Sequence, residues 1–237
     1  MEAPLHRNQL LACLPEADRQ ALVAQGDVVS LREYDELYPT DGRVEYVYFP
    51  LTLMASILVE AGNSTAVDLA TIGNEGMVGS MVILNVVRAW GQTLVQVRGF
   101  AVRLPVAALL THLEQQPLFR MVLAQYQDAF IRHIFQVGAC NLLHTIEERC
   151  ARWLLMTQDR VGRATFGLTQ QFLAQMLGVR RGTVNLALGL LKRAGLVAYT
   201  RGHFQILNRS GLEDVSCSCH ARIATEYQRL QADLAHS

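Results

Sequence analysis

The chain has 237 residues, 51% of them hydrophobic and 18% charged, with 21 basic and 21 acidic side chains that cancel at neutral pH. That apolar content excludes extended disorder, and the length exceeds the ~100–200 residues of one typical domain, so two domains joined by a helix are expected. The longest apolar stretches, such as 76–87, fall short of the ~18 residues of a membrane span.

The amino terminus carries Glu2 and Pro4 and lacks a basic-then-apolar leader pattern, so a cytoplasmic protein without membrane contact is expected. The five cysteines, Cys13, Cys140, Cys150, Cys217 and Cys219, are odd in number and widely spaced. They read as reduced thiols rather than a disulfide framework. Residues 8–24 read as one short helix with Leu10, Leu11, Leu14 and Leu22 on its apolar side. From Asp27 to about Leu104, short runs rich in Val, Tyr and Leu (44–49, 55–59, 66–71 and 94–104) alternate with Gly, Asn, Asp and Pro punctuation. That pattern predicts an antiparallel β-sandwich or roll.

Pro105 precedes a predicted helix over 106–114, and Pro117 opens a longer one reaching about Leu143. Phe119, Val122, Leu123, Tyr126, Phe130, Ile134 and Val137 recur at spacings of three and four and form one apolar face. About 25 residues at 1.5 Å each give a helix near 38 Å long. A helix of that length needs partners along it, and Phe119, Val122, Tyr126, Phe130, Ile134 and Val137 are read as its dimer face. A further amphipathic helix follows over 144–160, with Ile146, Cys150, Trp153, Leu154 and Leu155 inward.

The zero net charge hides an asymmetry. Between positions 161 and 210 stand Arg163, Arg180, Arg181, Lys192, Arg193, Arg201 and Arg209, with no acidic residue, which leaves fourteen basic against twenty-one acidic residues elsewhere. A basic module on an acidic body suits a polyanionic partner. Within it, Thr169 is a good helix N-cap, Leu173, Met176 and Leu177 form an apolar stripe, and Gly178 tolerates the positive φ of a sharp turn. A second helix follows with Val184, Leu188 and Leu191 inward, which completes a helix-turn-helix. The start of such a second helix enters the major groove. There, Arg180 and Arg181 suit guanine, Asn185 suits adenine, and Thr183 adds a hydroxyl. Thr169, Gln170 and Lys192 complete the candidate DNA contacts, with Arg201 and His203 at the tip of a β-hairpin wing spanning 197–207.

The order of β-roll, long helix and winged helix-turn-helix, with the 168–207 pattern, resembles the Crp/Fnr family of bacterial regulators. The resemblance implies an α+β fold: a cyclic-nucleotide-binding-like, jelly-roll-like β-roll over 1–116, a dimerisation helix over 117–143, and a winged helix-turn-helix domain with a tail helix over 144–237. It also implies a homodimer on near-palindromic double-stranded DNA that recruits or blocks RNA polymerase, with an effector held in the roll. This chain departs from the family where a cyclic nucleotide would sit. Gly76, Gly79 and Ser80 lie in the phosphate-cradling segment, with Ser80 in place of the ribose-binding Glu. Near Thr93 the phosphate-neutralising Arg is missing, and Arg88 is the nearest candidate. A buried phosphate without a cation is poorly compensated, so cyclic AMP is not expected to bind, and the identity of any small-molecule effector stays open. Only Cys13 stands where iron–sulfur members cluster cysteines. His112 and His133 sit in no haem motif, so neither cofactor is expected. In the recognition helix the family's Arg-Glu-Thr-Val becomes Arg181-Gly182-Thr183-Val184, which predicts an altered operator.

Cys217-Ser-Cys219-His220 offers two thiols and an imidazole but too few ligands for a closed metal site by itself, and no metal site is assigned from the sequence. The alternative to a homodimeric regulator with a degenerate effector pocket is a ligand, metal or redox sensor module whose DNA binding is gated by the Cys217/Cys219 tail or by an unknown small molecule. No phosphate loop, zinc-protease helix or nucleophile elbow is present, so an enzyme is not expected.

Overall fold

The computed structural model describes residues 5–60, 66–200 and 202–235. A 3-10 turn, Leu5–Arg7, leads into α1 (Gln9–Ala12) and α2 (Glu16–Val23). The single helix expected over 8–24 is therefore two. Pro15, at φ −50° and ψ 146°, has no N–H to continue the ladder and instead stands as the N-cap of α2. Leu10, Leu11, Leu14 and Leu22 are all buried. Asn8 caps α1 by accepting from the Leu10 and Leu11 amides, and its own amide donates to the Pro50 and Gly76 carbonyls, which fastens this segment to the β-domain.

The β-domain holds β1 (Asp27–Leu31), β2 (Glu36–Tyr38), β3 (Tyr46–Pro50), β4 (Met54–Glu60), β5 (Ala66–Ile72), β6 (Gln92–Val97) and β7 (Gly99–Pro105). They form two antiparallel sheets, ordered β1-β7-β3 and β2-β6-β4-β5. The apolar run 94–104, which reads as one strand in the sequence, changes sheet at Arg98. Gly99 is required there because a Cβ would strike the Thr52 carbonyl carbon at 2.5 Å.

The chain continues through α3 (Val106–Gln115), the 27-residue α4 (Pro117–Leu143), α5 (Ile146–Val161), β8 (Thr165–Gly167), α6 (Gln170–Met176) and α7 (Arg181–Arg193). The hairpin β9 (Val197–Thr200) and β10 (His203–Ile206), then α8 (Arg209–Val215) and α9 (Cys219–Ala235), complete the described fold. Strands β8, β10 and β9 make a third antiparallel sheet. The class is α+β: an N-terminal antiparallel roll, a long helix and a C-terminal helix-turn-helix with its wing. No helix among the described residues is long and apolar enough to cross a membrane.

Helix α4 corrects the sequence reading of its dimer face. Phe119, Val122, Tyr126, Phe130 and Val137 are at most 3% exposed, and Ile134 is half-buried against the same core. These residues face the chain's own roll and α9, so they are the helix's inner side. Periodicity identified an apolar stripe correctly but gave it the wrong partner.

Two large cores form, and neither respects the division of the chain into roll and head. Ile223, Tyr227 and Leu230 of α9 join the roll's interior, while Met54, Leu58, Leu94 and Val97 of the roll join the core of the helix-turn-helix. The sheet β2-β6-β4-β5 is thus buried on both faces, with alternate side chains feeding different cores. A buried ion pair locks the same junction: Arg160 Nε of α5 lies 2.8 Å from Glu75 Oε1, which also accepts from the Gly73 amide.

Asp68 of β5 is fully enclosed at this junction. Its carboxyl pKa is raised from 3.8 to about 6, chiefly by desolvation, against the pull of the nearby Arg152, Ser56, Trp153 and Ala70 amide. A carboxyl with a raised folded pKa binds more protons folded than unfolded between those two values. Stability therefore falls as pH rises from about 4 to 6 and levels off above. Asp68→Asn keeps the acceptor for the Ala70 amide (3.1 Å). We expect it to flatten that slope in urea denaturation and raise stability at pH 7 by up to roughly 3 kcal/mol.

Candidate nucleic-acid interface

The head is built on α5. Thr145 and Glu148 form a capping box at its start, and Gly162 ends it in the left-handed conformation. Thr169 caps α6 by accepting from the Phe172 amide at 3.1 Å. Gly178 adopts φ +63° in the turn, and the Arg149 guanidinium of α5 donates to the Leu177 carbonyl at 2.6 Å, which satisfies an orphan acceptor at the end of α6. Arg149 is a positioning residue the sequence reading missed, since nothing in the local pattern links it to a turn 28 residues away.

Helix α7 buries Val184, Ala187, Leu188 and Leu191 against α5 and α6. That fixes its opposite side toward solvent. Arg180, Arg181, Gly182, Thr183, Asn185 and Leu186 are all exposed at or near its amino-terminal end. Arg180 is the N-cap residue without a side-chain cap bond, so its guanidinium is not consumed by the helix end. Leu186, 73% exposed, was not singled out from the sequence although it falls off the 184/188/191 stripe.

The other candidate contacts are spread around this end. Gln170 opens α6 and is half-buried, and His203 begins β10 and is exposed. Arg201 lies outside the described residues. Lys192 is exposed eleven residues along α7 from Arg181, roughly 16 Å away at 1.5 Å per residue, with its ammonium 5.1 Å from the centre of the Tyr199 ring. Behind the wing, Tyr199, Phe204 and Phe166 stack at centroid distances of 5.4 and 6.3 Å and hold the hairpin on the head. The roll reaches the head's foot: the Tyr34 hydroxyl is 3.4 Å from Thr169 Oγ1, and its ring meets Phe172 edge-on at 5.0 Å.

The effector-pocket residues of the sequence reading differ in exposure. Gly76, Gly79, Ser80 and Thr93 are buried, but Arg88 is exposed and donates to the Asp41 carbonyl at 3.0 Å. The Tyr38 hydroxyl stands 2.6 Å from where a Gly79 Cβ would lie, and the Tyr126 hydroxyl crowds Gly76. Aromatic side chains thus fill the ground beneath that segment. A cleft of about 620 Å³ opens elsewhere, lined in part by Glu75, Asp159, Arg160, Arg209, His220 and Tyr227. His112 is buried in α3, and His133 is fully buried 3.1 Å from the Tyr227 hydroxyl, held below its ordinary pKa by desolvation and by Arg160 and Arg152. In the tail, His220 turns away from Cys217 and Cys219 and pairs with Asp159 at 2.8 Å.

Comparison with known proteins agrees with this geometry. Residues 148–215 match the Crp-like helix-turn-helix domain. The head is similar to a Crp-like helix-turn-helix over these residues. About four-fifths of the chain shares the fold of solved regulators of this kind. It superposes on FixK2 from Bradyrhizobium japonicum with a TM-score of 0.66 at 17% identity, covering 81% of this chain and 98% of that one. It superposes on the c-di-GMP responsive global regulator CLP of Xanthomonas campestris with a TM-score of 0.65 at 13% identity, covering 81% and 99%. A CRP-family transcriptional regulator from Thermus thermophilus gives 0.64 at 17% identity, covering 79% and 96%. No curated protein matches the sequence.

The Crp-like head carries one correctable weakness. A Cβ at Gly182 would meet nothing within 4 Å, while glycine inside a helix costs about 1 kcal/mol relative to alanine. Because Gly182 is only the second residue of α7, Gly182→Ala is expected to stabilise the chain by at most that amount, read as a rise in the thermal midpoint.

Proposed function

We propose that the chain is a homodimeric DNA-binding transcription regulator of the Crp/Fnr type, acting by binding rather than catalysis. The observation that carries this is the exposed amino-terminal end of α7. Its buried side is fixed by Val184, Ala187, Leu188 and Leu191, so Arg181, Thr183 and Asn185 project from a rigid base within a Crp-like domain. Arg180 and Arg181 supply bidentate donors for guanine, Asn185 pairs with adenine, and Leu186 offers an apolar surface to a thymine methyl. Thr169, Gln170, Arg201 and His203 serve phosphate contacts, which set register without reading sequence. Lys192 contributes only longer-range charge. With Gly182 in place of the family's acidic reader, the preferred operator differs from the usual one.

The partner for dimerisation is read from the other side of α4. At 100° per residue, Leu118, Met121, Ile131, Phe135, Leu142 and Leu143 fall on the side opposite Phe119, Tyr126, Phe130 and Val137. They are between 37% and 87% exposed. An apolar stripe along a helix about 40 Å long suits a second copy of the same helix, which places two heads for half-sites one DNA turn, ~34 Å, apart. The domain limits follow the helix breaks at residues 116 and 144. RNA polymerase is the expected downstream partner. The crowding of Gly76 and Gly79 by tyrosines supports a roll that takes no cyclic AMP.

A second reading is favoured by one contact. The Tyr34 hydroxyl of the roll touches Thr169 at the foot of the head, a contact that fits DNA binding gated by an effector. Fluorescence anisotropy on DNA selected from a random pool, without added ligand, separates the two. Tight binding by the protein alone supports a constitutive regulator, and binding that needs a ligand supports gating. In the same titration, Arg181→Ala should lose ~1–3 kcal/mol, about 5- to 150-fold, on the selected site and much less on random DNA. Equal loss on both would reduce Arg181 to a phosphate contact. Phe135→Glu is expected to shift the chain from dimer to monomer in analytical ultracentrifugation with its circular dichroism unchanged.

A further inference from the structure

Cys217 and Cys219 do not stand alone. They form a separate buried cluster with Cys140, and His144 completes it. The three Sγ atoms and one ring nitrogen all lie within 4.8 Å of one another. Cys140 Sγ is 3.4 Å from Cys217 Sγ, and Cys219 Sγ is 3.6 Å from His144 Nδ1, while all three thiols are free rather than bridged. A tetrahedral zinc ion, with Zn–S near 2.3 Å and Zn–N near 2.0–2.1 Å, sets its ligand atoms about 3.5–3.8 Å apart. An iron–sulfur cluster spreads its ligands over two or more irons and needs a wider cage than this one.

The fold explains how the four meet. Cys140 and His144 are one turn apart at the end of α4, a spacing that puts both on one face. Cys217 and Cys219 flank Ser218 at the bend between α8 and α9, and α9 packs along α4. Around them stands an outer shell of the kind metal sites use. Gln136, one turn before Cys140, donates Nε2 to Cys219 Sγ at 3.0 Å. The Arg152 guanidinium acts on Cys140, and that of Arg149 on Cys140 and Cys217. Three thiolates around a divalent ion leave one net negative charge, which these arginines offset.

We propose that Cys140, His144, Cys217 and Cys219 form a Cys3His site for one zinc-class divalent ion, which ties the last turn of α4 to the bend between the head and α9. The ion binds the thiolates, so three thiol protons are released to solvent on loading. This proposal does not rest on the DNA-binding reading, and its test reads metal rather than DNA.

The full chain, reduced and stripped of metal, is titrated with Co(II) and then Zn(II). One equivalent of cobalt should give intense thiolate-to-cobalt charge transfer and the visible bands of a tetrahedral ion, both abolished by one equivalent of zinc. Cys217→Ser and His144→Ala should each weaken binding by more than the roughly 10–100-fold that outer-shell changes cost. His144→Cys should retain a tetrahedral signal, and Cys13→Ser should leave it unchanged, with far-ultraviolet circular dichroism showing that each variant is folded. A weak octahedral spectrum would overturn the proposal. So would a tetrahedral signal that survives both Cys217→Ser and His144→Ala, or a Cys140–Cys217 disulfide in metal-free protein as purified.

Discussion

The Glu75–Arg160 ion pair is the constraint on which the arrangement of roll, long helix and head depends. It joins a loop of the roll to α5, the first helix of the head, and both side chains are under 10% exposed. A pair so desolvated is tolerated only when its remaining groups are satisfied. Here the Gly73 amide donates to both Glu75 oxygens, and Arg160 also donates to the Met156 carbonyl. Residue 73 has to be glycine, because a Cβ there would come within 2.5 Å of the Arg160 Cβ. The charge of Arg160 reaches outward as well. It helps keep His133 neutral in the core shared by α4 and α9, so the long helix is packed around a fixed cation.

With that pin in place, the sheet β2-β6-β4-β5 becomes a partition rather than a wall. Ile57 and Ala70 face the roll, while Leu58 and Leu94 face the head. A roll filled on its inner side by Tyr38, Tyr126 and Met77 has spent its interior on packing. The Tyr38 and Tyr126 hydroxyls stand close against Gly79 and Gly76, on the segment where Ser80 departs from the family pattern.

The sequence carried the head clearly, because the signals there are local. Thr169, Gly178 and the Val184, Leu188 and Leu191 stripe each have a conformational or packing reason visible within a few residues. Elsewhere the misreadings share one cause. Periodicity reports that a face is apolar and not what covers it, so the inner side of α4 was read as its dimer side, while the second stripe through Met121, Phe135 and Leu142 was hidden by the first. The run 94–104 reads as one strand because nothing local shows that its two halves lie in different sheets. The Cys140, His144, Cys217 and Cys219 cluster unites a helix turn with a bend more than seventy residues later, and no spacing rule joins them.

The capping box at Thr145 makes a seam in the chain. His144 is extended, at φ −111° and ψ 151°, and α5 satisfies its own first amides through Thr145 and Glu148. The backbone on either side therefore needs nothing from the other, and a junction of that kind is where recombination between related genes can splice one head onto another body. In this chain Cys140 and His144 stand upstream of the seam, with Cys217 and Cys219 downstream. A crossover at Thr145 would divide the quartet, so a new head would have to bring Cys217 and Cys219 to a body that already carries Cys140 and His144.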